Sequence, residues 1–143
     1  MRLVLDTDVI VAAIRSGQGA SRQLLLAALD RRVVVLASVA LMLEYEAVLT
    51  RPEHLERSGL TVREINAILD ALAAVIERVA FRFLWRPQLK DPADEMVLET
   101  AVNGGASHLA TFNVRHLQEA ASAFGIRVAA PGEIWRAIQR STT

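Results

Sequence analysis

Short, unbroken apolar runs alternate along this chain with longer stretches in which apolar residues recur every three or four positions. The runs at 2–6 (RLVLD), 33–37 (VVVLA), 107–112 (SHLATF) and 126–129 (IRVA) read as strands, with a weaker one at 79–83. None alternates strictly between apolar and polar, which is the pattern of strands covered on both faces, as in a parallel sheet. The periodic stretches predict helices near 8–15, 20–30, 39–50, 62–78, 92–103, 114–123 and 132–140. Thr61 with Glu64 reads as a capping box that opens one of them. Asp91-Pro92 reads as an N-cap followed by proline at the first helical position, and Gly104-Gly105 closes that helix. Strands alternating with helices predict an α/β sandwich: a mostly parallel central sheet of four to five strands with helices on both faces. The pattern reads as one domain over 1–140 with a frayed tail at 141–143, and it contains no internal repeat.

Several acids fall where this pattern wants hydrocarbon. Asp6 ends the first strand, and Asp8 follows two residues later inside otherwise core-like sequence. In the helix near 92–103, Val97, Leu98 and Ala101 mark the inward face, and Asp94 lies three, four and seven residues before them. Glu95 and Glu99 fall on the other side. In the helix near 39–50, Glu44 stands at the edge of the stripe formed by Leu41, Tyr45 and Val48, while Glu46 points away. Three elements thus each aim one acid, Asp6, Glu44 or Asp94, at the interior or at a crevice. A lone buried carboxylate is costly or stays neutral, whereas three together make sense around a cation. Taken singly, each has a plainer role: Asp6 as a helix cap, Asp8 as a cap or turn residue, Glu44 as a partner of Arg51, and Asp94 as a complement to the helix dipole.

Composition narrows the chemistry. The chain has 143 residues, 52% of them apolar, with sixteen basic and sixteen acidic side chains. A neutral protein must meet any polyanion through a local patch rather than its overall field. With no cysteine, neither disulfides nor thiolate metal sites are available, which fits a cytoplasmic setting. No run has the length of a membrane span and the amino-terminal stretch is not laid out as a secretory signal, so no membrane partner is expected. A site made of carboxylates alone selects Mg²⁺ or Mn²⁺ over zinc.

The stretches VLDTDVIVAAIRS, SVALMLEYEAVLTRP, RPQLKDPADEMVLETAVNGGASHLATFNVRHL and a closing PGEIW resemble the PIN-domain ribonucleases, in particular the small bacterial branch of toxin components of toxin–antitoxin pairs (VapC-like). The resemblance runs from residue 3 to about 135, and its pieces are specific in combination. It implies metal-dependent hydrolysis of RNA phosphodiesters with Mg²⁺ or Mn²⁺, and it places the family's acids on Asp6, Glu44 and Asp94. Asp6 and Asp94 would hold the metal, with Glu44 as a further ligand or the orienter of the attacking water. Where the family usually has Asn, this chain has Asp8. Many PIN domains carry a fourth acid where this chain has Asn113, so one tightly held metal ion is expected, with a second only when substrate supplies oxygens. Thr111, Asn113 and Arg115 are the expected water- and substrate-binding residues. Arg15, Arg51, Arg86 and Lys90 complete a candidate basic rim. His108, Trp85 and Trp135 are read as packing residues, and His116 as a neighbour of the crevice without a catalytic role.

The resemblance also implies a cognate antitoxin protein whose basic side chain would block the crevice. The long apolar helices near 39–50 and 62–78 add the expectation of a homodimer or higher homo-oligomer. Two other readings keep the fold: a catalytically degenerate RNA- or partner-binding module, which Asn113 favours, and a structure-specific DNA nuclease. An α/β nucleotide binder is disfavoured because Asp-Thr-Asp, not a glycine-rich loop, follows the first strand.

Overall fold

The computed structural model describes residues 1–81 and 89–141. The elements run β1 (Arg2–Leu5), α1 (Thr7–Arg15), α2 (Ala20–Leu29), β2 (Val34–Ala37), α3 (Val39–Leu49), α4 (Pro52–Ser58), α5 (Val62–Ala73) and β3 (Glu77–Arg78). They continue with α6 (Pro92–Gly104), β4 (His108–Ala110), α7 (Val114–Ser122), β5 (Arg127–Ala129) and α8 (Pro131–Ser141). The five strands form one sheet in the order β3-β2-β1-β4-β5. Every pairing is parallel. The α/β fold expected from the alternation is therefore present, with the upper count of strands.

β1 is the middle strand. It sets Leu3 beside both Val35 and His108, and Leu5 beside Ala110. Covered by helices on either face, Leu3, Val4 and Leu5 are wholly buried, which is why this run carries no polar alternation. The ladders reach one residue past the strand ends. Asp6 N–H donates to Ala110 O at 2.9 Å, and Thr111 N–H donates to Ala129 O at 3.0 Å. Two polar residues are thus fixed by the sheet at the carboxyl ends of adjacent strands. Gly104 lets α6 close down on β2, since a Cβ there would lie 2.8 Å from Val79 Cγ2 and 3.1 Å from Leu36 Cδ1.

Three element boundaries differ from expectation. The helix placed at 62–78 opens on the predicted capping box but ends at Ala73. The N–H groups of Val75 and Ile76 both turn back to Leu72 O, and the chain then pairs Glu77 with Leu36 and Arg78 with Ala37. Val75 and Ile76 keep helical spacing, so periodicity runs through the turn. The weak strand expected at 79–83 is instead Glu77–Arg78, wholly before it; Val79, Ala80 and Phe81 belong to no strand, and Arg82 and Phe83 lie outside the described residues. Helix α4 was not expected. It has no buried residue to reveal a stripe, although Pro52 at its start and the left-handed Gly59 (φ 72°) at its end mark both boundaries. At the carboxyl end, Ser141 belongs to α8 and donates from Oγ to Ile138 O, while Thr142 and Thr143 lie outside the described residues. No described helix is long and apolar enough to cross a membrane.

Candidate active site

The carboxyl ends of β1 and β4 meet at Asp6 and Thr111. Thr111 Oγ1 donates to Asp6 Oδ2 at 2.7 Å, and Thr7 N–H donates to Asp6 Oδ1 at 2.7 Å. Asp6 is therefore the cap of α1 as well as the last residue of the sheet ladder, and both of its oxygens are held. Thr111 Oγ1 in turn accepts the N–H of Asn113 at 2.9 Å. Below Asp6, the buried hydroxyl of Tyr45 donates to Leu5 O. Burial first, and the charge of Asp6 second, push the Tyr45 phenol up, so it stays a donor.

Asp8 does more than shape a turn. It sits in the first turn of α1, and its Oδ2 accepts the N–H of Phe112 at 3.1 Å. Its Oδ1 is buried and has no hydrogen-bond partner. Asp94, in the first turn of α6, is buried as its helical phase predicts, with 8% of its surface exposed. His116 Nδ1 lies 3.8 Å from Asp94 Oδ2. Asp91 and Pro92 start α6 as expected, with Asp91 Oδ1 accepting the N–H of Ala93 at 2.8 Å.

These acids disturb one another. Burial and then the negative charge of Asp8 push the Asp6 carboxyl up to about 6, against the pull of its bonds from Thr111 and Thr7, and Asp94 pushes the same way. Burial raises Asp8 also, opposed by the backbone N–H groups of Phe112 and Val9 and reinforced by Asp94. Asp94 is raised by burial and by Asp91, with His116 pulling it down. Three carboxylates that crowd at the carboxyl ends of a parallel sheet occupy the usual ligand crevice of such folds.

Glu44 projects from α3. It lines a crevice of about 990 Å³ between α1, α3 and α4, together with Asp8, Arg15, His54, Arg57 and Phe112. Arg51 does not pair with it, and Glu44 has no ion pair among the described residues. Helical phase placed Glu44 at the edge of its stripe, and that edge faces the crevice. Among the described residues, no three His, Asp or Glu side chains are close enough to hold a metal ion by themselves. The donor set nevertheless suits a hard cation. Mg²⁺ is commonly held by one or two carboxylates and keeps several waters, and the unpartnered Asp8 Oδ1 beside Asp6 and Asp94 is an oxygen that a cation would satisfy.

The remaining expected residues divide. Asn113 is exposed at the start of α7, and its side chain makes no capping bond. Arg115, Arg51 and Lys90 are exposed, Arg15 lines the crevice, and Arg86 and Trp85 lie outside the described residues. Trp135 is half-buried with Arg32 over its ring at 5.5 Å, and His108 Nδ1 lies 2.8 Å from Ser107 Oγ. Sequence reading missed His54 and Arg57 because it missed α4, the short helix that carries both.

The family model for the PIN domain matches residues 2–115. The chain belongs to the PIN-domain family. No curated protein sequence matches this PIN domain. Among solved structures, it is similar to a chain of the crystal structure of VapBC2 from Rickettsia felis bound to a DNA fragment from their promoter. The TM-score is 0.61 at 14% identity, over 91% of this chain and 98% of that one, a likeness of fold.

Proposed function

We propose that this PIN domain is a Mg²⁺- or Mn²⁺-dependent endoribonuclease and the toxin of a cytoplasmic toxin–antitoxin pair. The observation that carries the reading is the group Asp6, Asp8 and Asp94: the charges of Asp8 and Asp94 push Asp6 up, Asp94 pushes Asp8 up, and among the described residues the group's one ion pair is with His116. Bound there, a divalent cation would supply a more acidic water and positive charge for the phosphate. Asp6 and Asp94 are the residues that would hold it, with Asp8 Oδ1 in reach of the same group. Thr111 and Thr7 keep the Asp6 carboxylate in one orientation. Glu44, on the crevice wall without a partner, is left to orient the water that attacks phosphorus. Asn113 and Arg115, exposed just beyond Thr111, face the RNA backbone, with the amide supplying hydrogen bonds but no charge.

The fold shared with VapBC2 supports the toxin assignment, and with it a cognate antitoxin that brings a basic side chain to the acids. A homodimer is supported by the apolar surface of α3, where Val39 and Leu43 (60% exposed) border a groove that continues to Met42 and Ile76. Light scattering at micromolar concentration should give twice the chain mass. A monomer would remove that part of the reading.

Cleavage of RNA by the wild type in Mg²⁺ or Mn²⁺, lost in Asp6→Asn, tests the central claim, and equal activity in the two proteins would end it. A binding module without chemistry is favoured by one observation, the exposed amide of Asn113 where many relatives carry an acid. Calorimetry with Mn²⁺ separates the two: heat in the wild type that disappears in Asp94→Asn supports the nuclease, and no heat in either supports the module.

A further inference from the structure

We propose that the crevice between α1, α3 and α4 seats the nucleotide next to the bond that is cut, with Phe112 stacking on its base, Arg15 and Arg57 on its phosphates, and His54 reading the base edge. The inference rests on the ribonuclease reading and adds to it a site that selects sequence.

One face of α1 lays out the path. Asp8, Val11, Ala12 and Arg15 all line the crevice, and their spacing of three, four and seven residues puts them in one row. By the helix rise of ~1.5 Å per residue, Asp8 and Arg15 mark ends about 10 Å apart. Asp8 belongs to the acidic group, so the crevice opens directly from the site of chemistry. Between the charged ends, Val11, Ala12 and Val48 give an apolar floor on which a flat ring can lie.

Phe112 is the second observation. It follows Thr111 directly, its N–H is tied to Asp8, and its ring is 55% exposed at the crevice. An aromatic ring left open beside a phosphate-cutting site suits base stacking, which accepts any base through its π-face. Arg15 and Arg57 supply the charge that stacking lacks. Neither forms an ion pair among the described residues, so both are available to phosphate oxygens.

His54 supplies choice. Its Nδ1 is buried at the crevice wall with no hydrogen-bond partner, whereas His108 is tied to Ser107 and His116 stands beside Asp94. A shielded ring nitrogen that the fold leaves unpaired bears a desolvation cost, and a turn of the ring about its Cβ–Cγ bond would bring it to a base edge in the crevice and relieve it. A single unsatisfied imidazole prefers bases whose edge complements its tautomer. A protein segment would also fill an apolar trough, and Asp8 and Glu44 in the same lining balance Arg15 and Arg57 in charge. It is the exposed Phe112 ring and the two unpaired guanidinium groups at a distance from the acidic group that favour a nucleotide.

Binding of a fluorescein-labelled, random-sequence single-stranded oligoribonucleotide tests this, read by anisotropy in Mg²⁺ during a brief cold incubation that leaves the probe intact. Phe112→Ala should weaken binding about 10-fold, the scale of one lost base stack. Arg57→Gln should weaken it and flatten its dependence on salt. His54→Ala should flatten the sequence preference of the retained RNA, as read by sequencing the bound pool. Thermal melts establish that each variant is folded. Wild-type affinity, salt slope and sequence preference in all three folded variants would overturn the crevice assignment, as would a loss confined to binding of an antitoxin peptide. If the wild type cleaves RNA while these variants bind and cleave as it does, only the crevice assignment falls. If neither wild type nor variants bind or cleave RNA, the ribonuclease reading falls and takes this inference with it.

Discussion

The two ends of β1 and β4 are treated in opposite ways. At the amino end, the Arg2 guanidinium pairs with the Glu77 carboxylate and donates to the carbonyls of Gly104 (2.7 Å) and Gly105 (3.3 Å). Ser107 Oγ accepts the N–H of Arg2 and donates to its carbonyl, tying the two strands side chain to backbone. Burial and the nearby charge of Arg127 push the His108 imidazole down, toward its neutral form. At the carboxyl end, four residues further along the same strands, Asp6 and Asp8 come together with Asp94, and the hydrogen bonds that Asp6 and Asp8 receive come from neutral groups. The same backbone ladder supports both ends, so the contrast lies in the side chains placed there. One end closes its own electrostatics, and the other keeps a negative charge that, among the described residues, His116 alone approaches with an ion pair.

The sharpest way to break this contrast is Asp6→Asn. RNA cleavage should fall by ~100-fold or more, beyond the 10–100-fold typical of groups that merely support a metal ligand. Next comes stability of the metal-free protein against pH. Asp6 is raised in the fold to about 6, so its contribution is fully present below its unfolded value near 3.8 and is lost as pH rises through about 6. Urea denaturation should show a decline on the order of 3 kcal/mol across that window. The decline should be flattened in Asp6→Asn and recovered at neutral pH by Mg²⁺. A smaller effect belongs to Thr111→Val, which removes the donor to Asp6 Oδ2. It should cost about 1–2 kcal/mol and move the pH transition upward. Smallest is Ser107→Ala at the amino end, at about 1 kcal/mol or less with cleavage unchanged. A loss of cleavage there, measured at equal folded fraction, would show that the two ends are not separate.

The acids differ in how plainly the sequence shows them. Asp94 was legible because helical phase is local: Val97, Leu98 and Ala101 fix which way the first turn of α6 looks. Asp6 was legible because its strand is buried on both faces. Glu44 was legible in the same way, as an acid at the edge of its stripe that lines a crevice, but phase gives a direction without naming what forms the crevice's other walls. Asp8 was undervalued because turn chemistry explains an acid after a strand equally well. Only the approach of Phe112, 104 positions later, shows that one of its oxygens is engaged and the other is not. Helix α4 escaped because a seven-residue helix without buried residues has no period to read, and His54 went with it.

The hydrogen bond between Thr111 and Asp6 joins residues 105 positions apart. During synthesis, a ribosome that has released β1 through α5 has made a first strand with no neighbour on its β4 side. Asp6 is then still open to water and ordinary in its acidity. The arrangement at the carboxyl ends of the sheet therefore forms late, after the ribosome has passed β4, and a nascent fragment shorter than that cannot yet hold Asp6 in its folded setting.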